Sequence, residues 1–335
     1  MSVLQTGRQA LLGALARLPC WPAARDVPYR GGPRIAVIGN CQARGVARSL
    51  EVLLPEAAVT LVPTGQISRR ARTLRAFADG LARYDHVFSQ PIAAGHFPDG
   101  GLAELLSLLP RARLFPPIVF AAFHPDMVYV GDLSAGGAAG LVPSPLHTYH
   151  SAITLFGYLR GLSEERILRL FRDDVLARLG FLDGWDLAAD DLVETSRSIG
   201  FDLAPDLLRW SRRGAFMHGI NHPKLFVMAD IALRLATEAG LDPAPLPVEA
   251  YLADDLLGEV IWPVYPAVAE AYGLKGSYVF KRRAMPKAPP SVLDLAGLVR
   301  ESLALYRTMP RARLTCQRTE HWSRSPETCA LFDAA

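Results

Sequence analysis

Cysteine is scarce in this chain. Only four of 335 residues are cysteines, Cys20, Cys41, Cys316 and Cys329. They lie far apart and form no CxxC pair, which excludes a disulfide framework and the usual zinc spacings and favours a reducing compartment. An excess of one charge is also missing. Lys and Arg number 36 against 33 Asp and Glu, a formal net charge of +3, too small to argue for nucleic acid as a partner, although a local basic groove for an anion is compatible with it. The apolar stretch LLGALARL near the N-terminus is interrupted by Arg17 and too short to span a bilayer. A helix packed on the protein's own core is expected there, with a short amphipathic helix on a membrane surface as the alternative. Neither GxGxxG nor a Walker A loop occurs, so a dinucleotide or nucleoside triphosphate reading lacks its main support. No internal repeat or low-complexity tract is present.

What is present is an ordinary globular composition, half hydrophobic and a fifth charged, with length for one large domain or two modest ones. From residue 34 the hydrophobic pattern alternates. RIAVIGN, VTLVPT, DHVFSQPI and RLFPPIVF have the short apolar form of buried strands, and the segments between them carry helical spacing. Strands alternating with helices predict an α/β fold, a parallel sheet with helices on both faces of the SGNH or flavodoxin-like kind. The stretch 131–148 is rich in Gly, Ser and Pro and predicts a loop near the active face. The pattern then turns helical, in HSAITLFGYLRGL, EERILRLFRDDVLARL, DDLVETSRSIGF and KLFVMADIALRLATEAG. Residues 241–288 give no regular pattern. A helix is expected in VLDLAGLVRESLALYRT and a frayed basic end after it. The resulting division is an N-terminal extension (1–33), an α/β core (34–130), a mainly helical region completing the active site (131–288), and a C-terminal helix and tail (289–335).

Three motifs carry chemistry. Gly39-Asn40-Cys41-Gln42 closes the first strand, and open α/β sheets bind ligands at the carboxyl ends of their strands. With Asn40 as cap, Cys41 falls in the first turn of a helix, where the dipole and unpaired N–H groups favour a thiolate and offer an oxyanion site. That is the layout of a nucleophile elbow with Cys in place of Ser. A buried structural cysteine is the competing reading, and the polar flanks Asn40 and Gln42 favour function. Phe123-His124-Pro125-Asp126 follows the fourth strand, where His124 either binds an anion or moves a proton, or is a loop histidine beside a turn that Asp126 begins. In His218-Gly219-Ile220-Asn221-His222-Pro223-Lys224, Pro223 suits the first helical position and Asn221 or His222 the cap. His222, held at a helix start, is a candidate base, with Asn221 orienting it or binding substrate. Gln90 ends the third strand at the same crevice, and His147 and His150 flank a later helix start. Arg44, Arg48 and Lys224 are candidates for phosphate contacts or solvated surface charges. His86, His96 and His321 are weaker candidates.

The strand leading into GNCQ, the His124-Pro125 pair, Tyr149-His150-Ser151 entering a helix, and Asn221-His222-Pro223, in that order, resemble the WcbI family over roughly residues 34–280. Members of that family are implicated in capsule polysaccharide biosynthesis and bind coenzyme A. The resemblance implies an acetyl-CoA-dependent O-acetyltransferase acting on a sugar hydroxyl in capsule or exopolysaccharide biosynthesis. Its catalytic candidates are Cys41, His222 and His124. The candidates for binding substrate or coenzyme A are Gly39, Asn40, Gln42, Arg44, Gln90, Asp126, His150, Asn221 and Lys224. No metal is implied. The partners implied are acetyl-CoA and a sugar or polysaccharide precursor. A cytoplasmic location is expected, with peripheral association with an inner-membrane biosynthetic complex as an option. The layout is also similar to SGNH esterases, from which the chain departs by having Cys for Ser and by lacking a late Asp-x-x-His pair. A thiol-dependent esterase and a non-catalytic protein binding coenzyme A or glycan are the alternatives.

Overall fold

The computed structural model describes residues 31–93, 95–132, 140–285 and 289–335. The apolar stretch before residue 31, Cys20 and part of the Gly-rich segment (133–139) lie outside them. The chain forms two compact units, one running to Phe115 and including Ile231–Val248, the other comprising Pro116–Asp230 and Glu249–Ala335. The first boundary between the units falls after Phe115, and residues 289–335 lie in the second unit.

The first unit is the α/β part. Its four strands, β1 (Arg34–Gly39), β2 (Ala58–Pro63), β3 (His86–Ser89) and β4 (Ala112–Leu114), form a parallel sheet in the order β2-β1-β3-β4. Strand β1 is central. Ile35, Ala36, Val37 and Ile38 are wholly buried, as expected where both faces of a parallel strand are covered. On β2, at the edge, buried and half-buried residues alternate. Helix Cys41–Leu53 follows β1, Leu74–Leu81 lies between β2 and β3, and Leu102–Leu108 between β3 and β4. Leu74, Phe77, Ala78 and Leu81 turn the apolar stripe of their helix into the core formed with Ile38, Val62 and Val87. The fourth strand is shorter than the run RLFPPIVF predicts. Pairing stops after Leu114, with one further bond from Phe115 N to Ser89 O, because Pro116 and Pro117 have no N–H to continue a ladder.

The second unit is mainly helical. Its core is built on Ala152–Leu159, Glu164–Arg169, Asp173–Arg178 and Leu295–Thr308 with the aromatic residues Trp262, Tyr265, Phe280 and Tyr306. The run EERILRLFRDDVLARL divides into two helices. Arg172 is extended, and Asp173 and Asp174 open the second helix, where carboxylates complement the helix dipole. The basic tail is not frayed. Gln317–Ser323 and Pro326–Asp333 are helices, and Trp322 and Phe332 pack on Phe156 with ring centroids 5.7 and 4.7 Å away. These few large side chains outweigh the polar composition around them. Within 131–148, bridges Gly131–Leu141 and Ser144–His147 and the buried Val142 and Leu146 fix the described part. Among the described residues, no helix is long and apolar enough to cross a membrane.

Asp126 is fully buried in this unit. It accepts from Ile153 N and Tyr265 Oη, each at 2.8 Å. Burial raises its pKa to about 6, against the opposing effects of Ser151, the Ile153 N–H, Tyr265 and Arg318. The folded state thus holds a proton that the unfolded chain has already released, so this contribution to stability is lost as pH rises through about 6. Relative to Asp126→Asn, the wild type should lose about 2 kcal/mol of unfolding free energy between roughly pH 4.5 and pH 7. Urea titrations of both proteins at the two pH values measure this. Parallel losses would show that the carboxyl does not titrate in that range.

Candidate functional site

The sequence singles out two sets of residues, and each is assembled inside one unit. In the first unit, β1 ends at Gly39 and the helix starts at Cys41. Asn40 is extended and caps that helix, its side chain accepting from Gln42 N at 2.9 Å. Ala43 N bonds the Asn40 carbonyl at 3.1 Å. These two N–H groups are therefore committed within the turn rather than offered to an oxyanion. Gln90, leaving β3, reaches across beside β1. Its Oε1 accepts from Asn40 N at 2.9 Å, its Nε2 donates to Gln42 Oε1 at 3.3 Å, and its own N–H bonds Ile38 O. Gly39 is required for this approach, because a Cβ there would stand 2.6 Å from Gln90 Oε1 and 2.8 Å from Ala43 Cβ. Gln42 and Gln90 are buried behind the turn, whereas Asn40 and Cys41 are exposed. The buried structural cysteine reading of Cys41 is thereby excluded. Arg44 is exposed and Arg48 half-buried on the same helix.

In the second unit the NHP segment departs from expectation. His222 and Pro223 do not open a helix. They pair, antiparallel, with Met217–Gly219, and the helix begins only at Leu225. A residue before proline is steered to extended backbone, and the cap comes from elsewhere: Asp254 Oδ2 accepts from Leu225 N at 3.0 Å. The same oxygen bonds His218 Nε2 at 2.9 Å, and Oδ1 accepts from Leu256 N. Burial works to raise the Asp254 pKa, but these hydrogen bonds and the His218 charge outweigh it and hold the carboxyl below its usual range.

The histidines of this unit differ in what is left to them. His150 is buried, with Nε2 on Val142 O at 3.0 Å and Nδ1 on Tyr306 Oη at 2.9 Å. A carbonyl only accepts, so Nε2 carries the proton and Nδ1 receives the tyrosine hydroxyl. Both nitrogens are used, and burial takes the pKa down to about 4. His124 is buried too. Burial lowers its pKa to about 3, with the backbone of Pro263 and Met217 opposing, yet neither ring nitrogen makes a well-formed hydrogen bond. His222, 6 % exposed, is lowered mainly by burial, with Glu259 the main opposing charge. Its Nε2 lies 3.3 Å from Tyr149 Oη, and the Val260 backbone also opposes the effect of burial on the ring. Asn221 bonds Tyr149 and Tyr129, each at 2.9 Å. Lys224 is half-buried, and burial lowers its pKa. Asp126 accepts from Ile153 N and Tyr265 Oη within the core.

Sequence reasoning missed Tyr129, the His218–Asp254 pair and Arg318. A cleft of about 1330 Å³ opens in this unit, with Tyr129, Leu187 and Arg318 in its lining. Arg318 donates to Pro125 O and belongs to the tail, outside every motif. Among the described residues, no group of three or more His, Cys, Asp or Glu is arranged to hold a metal ion.

No curated protein matches the sequence. A solved structure of WcbI, described as a novel polysaccharide biosynthesis enzyme in its native form without a disulfide bond between coenzyme A and one of its cysteines, is similar in fold. The TM-score is 0.67 at 15% identity, over 90% of this chain and 98% of that one. The family model for the polysaccharide biosynthesis enzyme WcbI matches residues 34–244, which takes in the cysteine turn, both His-Pro pairs and Tyr149. By that match the chain belongs to the WcbI family of polysaccharide biosynthesis enzymes.

Proposed function

We propose that the chain is an acetyl-CoA-dependent O-acetyltransferase that modifies a sugar hydroxyl during capsule or exopolysaccharide biosynthesis. The observation that carries this reading is Cys41, an exposed thiol at the first position of the helix after the central strand, in a family whose solved member is described with coenzyme A and a cysteine. Arg44, one helical turn on, is an exposed cation suited to the anionic end of coenzyme A.

Two courses balance. In one, the Cys41 thiolate attacks the thioester carbonyl, the coenzyme A thiolate leaves, and the sulfur-bound acetyl group passes to the sugar oxygen. A base takes the hydroxyl proton and Cys41 is released as thiolate. In the other, the sugar oxygen attacks acetyl-CoA directly, the base takes its proton, and the leaving thiolate is finally protonated. An acetyl-thioester trapped on Cys41 without acceptor distinguishes the first. His222 is the candidate for the base, because burial lowers its pKa and so favours the neutral imidazole that a base requires. The remaining site roles assigned to Gly39, Asn40, Gln42, Gln90 and Asn221 are to shape the two sets described above. The same exposed thiol serves an esterase if water replaces the sugar, and acetate release from esters without coenzyme A would favour that reading.

Cys41 should alkylate ahead of Cys316, which is buried, and Cys329, which is half-buried. Coenzyme A should protect it, with affinity on the order of −7 to −8 kcal/mol and a rise in melting temperature. Peptide mapping after limited iodoacetamide treatment, with calorimetry alongside, checks both. Faster labelling of Cys316 or Cys329, or no heat of binding at high ligand concentration, would count against the proposal.

His222→Ala should reduce kcat by about a hundredfold to ten-thousandfold, as expected for a lost general base, with coenzyme A affinity within twofold. His124→Ala is the comparison. If His124→Ala loses turnover and His222→Ala keeps it, the base is His124.

A further inference from the structure

The cleft of about 1330 Å³ in the second unit is larger than the roughly 300–1,000 Å³ usual for a small-ligand site. One of its walls is a helix face. Gly184, Leu187, Ala188 and Asp191 all line it, and their helical spacing puts them on one side of helix Trp185–Ser198. Leu192 and Ser196 carry the buried side of that helix. Leu187 is 78 % exposed, the most open large apolar side chain among the described residues, and Val119, 46 % exposed, lines the same cleft. A single exposed leucine on a convex surface needs no explanation. Two exposed apolar side chains in one concave site point to a ligand.

The polar groups narrow what that ligand is. Asp132, Asp191 and Glu320 line the cleft together with Arg318 and His321. Coenzyme A is a polyanion, and this lining holds no excess of cations to receive one. An acyl chain would strip water from these side chains and offer them no hydrogen bond in return. A glycan meets both requirements. Its hydroxyl groups donate to carboxylates and accept from a guanidinium, while the C–H face of a sugar ring covers apolar side chains. Arg318 is half-buried and held in place by donating to Pro125 O, with its guanidinium 5.7 Å from the centre of the Phe181 ring. A guanidinium has more donors than one carbonyl takes.

We propose that this cleft holds a neutral stretch of the glycan acceptor, with Asp191, Glu320 and Arg318 bonding its hydroxyl groups and Leu187 and Ala188 carrying the face of a sugar ring. This rests on the acceptor being a sugar. These residues select and hold the acceptor, and none of them takes part in acetyl transfer. The size of the cleft suits an oligosaccharide better than a single sugar.

The test uses the full-length protein and short oligosaccharides cut from the producing cell's own capsule or exopolysaccharide, de-O-acetylated with mild base and separated into neutral and acidic fractions. Saturation-transfer NMR and calorimetry should show the neutral fraction binding the wild type, oligomers more tightly than single sugars. Asp191→Ala and Leu187→Ser, both at exposed positions, should each weaken that binding about fivefold to tenfold. Ala188→Trp, which fills the cleft, should abolish it. Affinity for coenzyme A should stay within twofold in all three. The two milder variants keep the test open if Ala188→Trp fails to fold. The proposal is overturned by no binding of the neutral fraction, by binding unchanged in the variants, by tighter binding of laurate or of the acidic fraction, or by a parallel loss of coenzyme A affinity. Transfer of radiolabelled acetyl groups from acetyl-CoA separates this from the reading it rests on. Oligosaccharide that binds in the cleft but is never acetylated refutes the transferase and leaves the glycan site standing. Acetylation with an unchanged KM for oligosaccharide in every variant refutes the glycan site alone.

Discussion

A single carboxylate governs the segment that carries the candidate base. Asp254 bonds His218 on one side and the N–H of Leu225 on the other, so both ends of the stretch containing Asn221 and His222 are tied to one point. Between those ends the chain forms the short pairing of Met217–Gly219 with His222–Pro223. Proline favours extended backbone at His222 and cannot donate. The helix therefore starts two residues beyond Pro223 and borrows its cap from Asp254. Without that carboxylate, the Leu225 N–H and His218 would both lack their buried acceptor, a loss larger than that of an ordinary surface ion pair. The exposed ion pairs of this unit, such as Arg160 with Asp333 and Arg172 with Asp174, are minor by comparison.

The cysteine turn of the first unit obeys a different constraint, close approach. Gln90 Oε1 takes the Asn40 N–H, and this is possible only because position 39 has no side chain. The buried amides of Gln42 and Gln90 are bonded to each other, so burying them does not leave their polar groups facing an apolar core. The consequence is a rigid turn that presents Cys41 outward while its two nearest N–H donors remain engaged. Any oxyanion donor has to come from groups other than the N–H of Gln42 and Ala43.

The parts of this arrangement that were legible in the sequence are those whose causes are local. Four consecutive apolar residues before Gly39 specify a doubly covered strand, Asn40 specifies a cap, and the polar flanks of Cys41 mark it as unlike a core thiol. The double proline after Phe115 sits within a run whose apolar composition alone suggests a longer strand, and the missing donors end it. The causes that were not legible act across the chain. Asp254 lies 29 residues from Leu225 and 36 from His218, so Asn221-His222-Pro223 resembles a helix start when its true cap cannot be seen. Tyr149 and His222 are 73 residues apart. In the tail, charge density suggests fraying, while the packing of Trp322 and Phe332 on Phe156 depends on a partner some 170 residues earlier, about as far back as Arg160 is from Asp333.

What separates the four buried histidines of the second unit is therefore neither their motif nor their burial. It is how many ring nitrogens the fold has already used. His150 has spent both, and its imidazole is a strut between Val142 and Tyr306. His218 has given Nε2 to Asp254, which makes it part of the clamp. Burial holds the His124 pKa near 3 against the backbone of Pro263 and Met217, and a nitrogen that resists protonation so strongly is a poor proton acceptor near neutral pH. His222 has Nε2 beside Tyr149 Oη, which fixes the ring, and burial lowers its pKa while Glu259 and the Val260 backbone oppose the shift. A general base needs both fixity and an open lone pair, and a sequence motif reports neither.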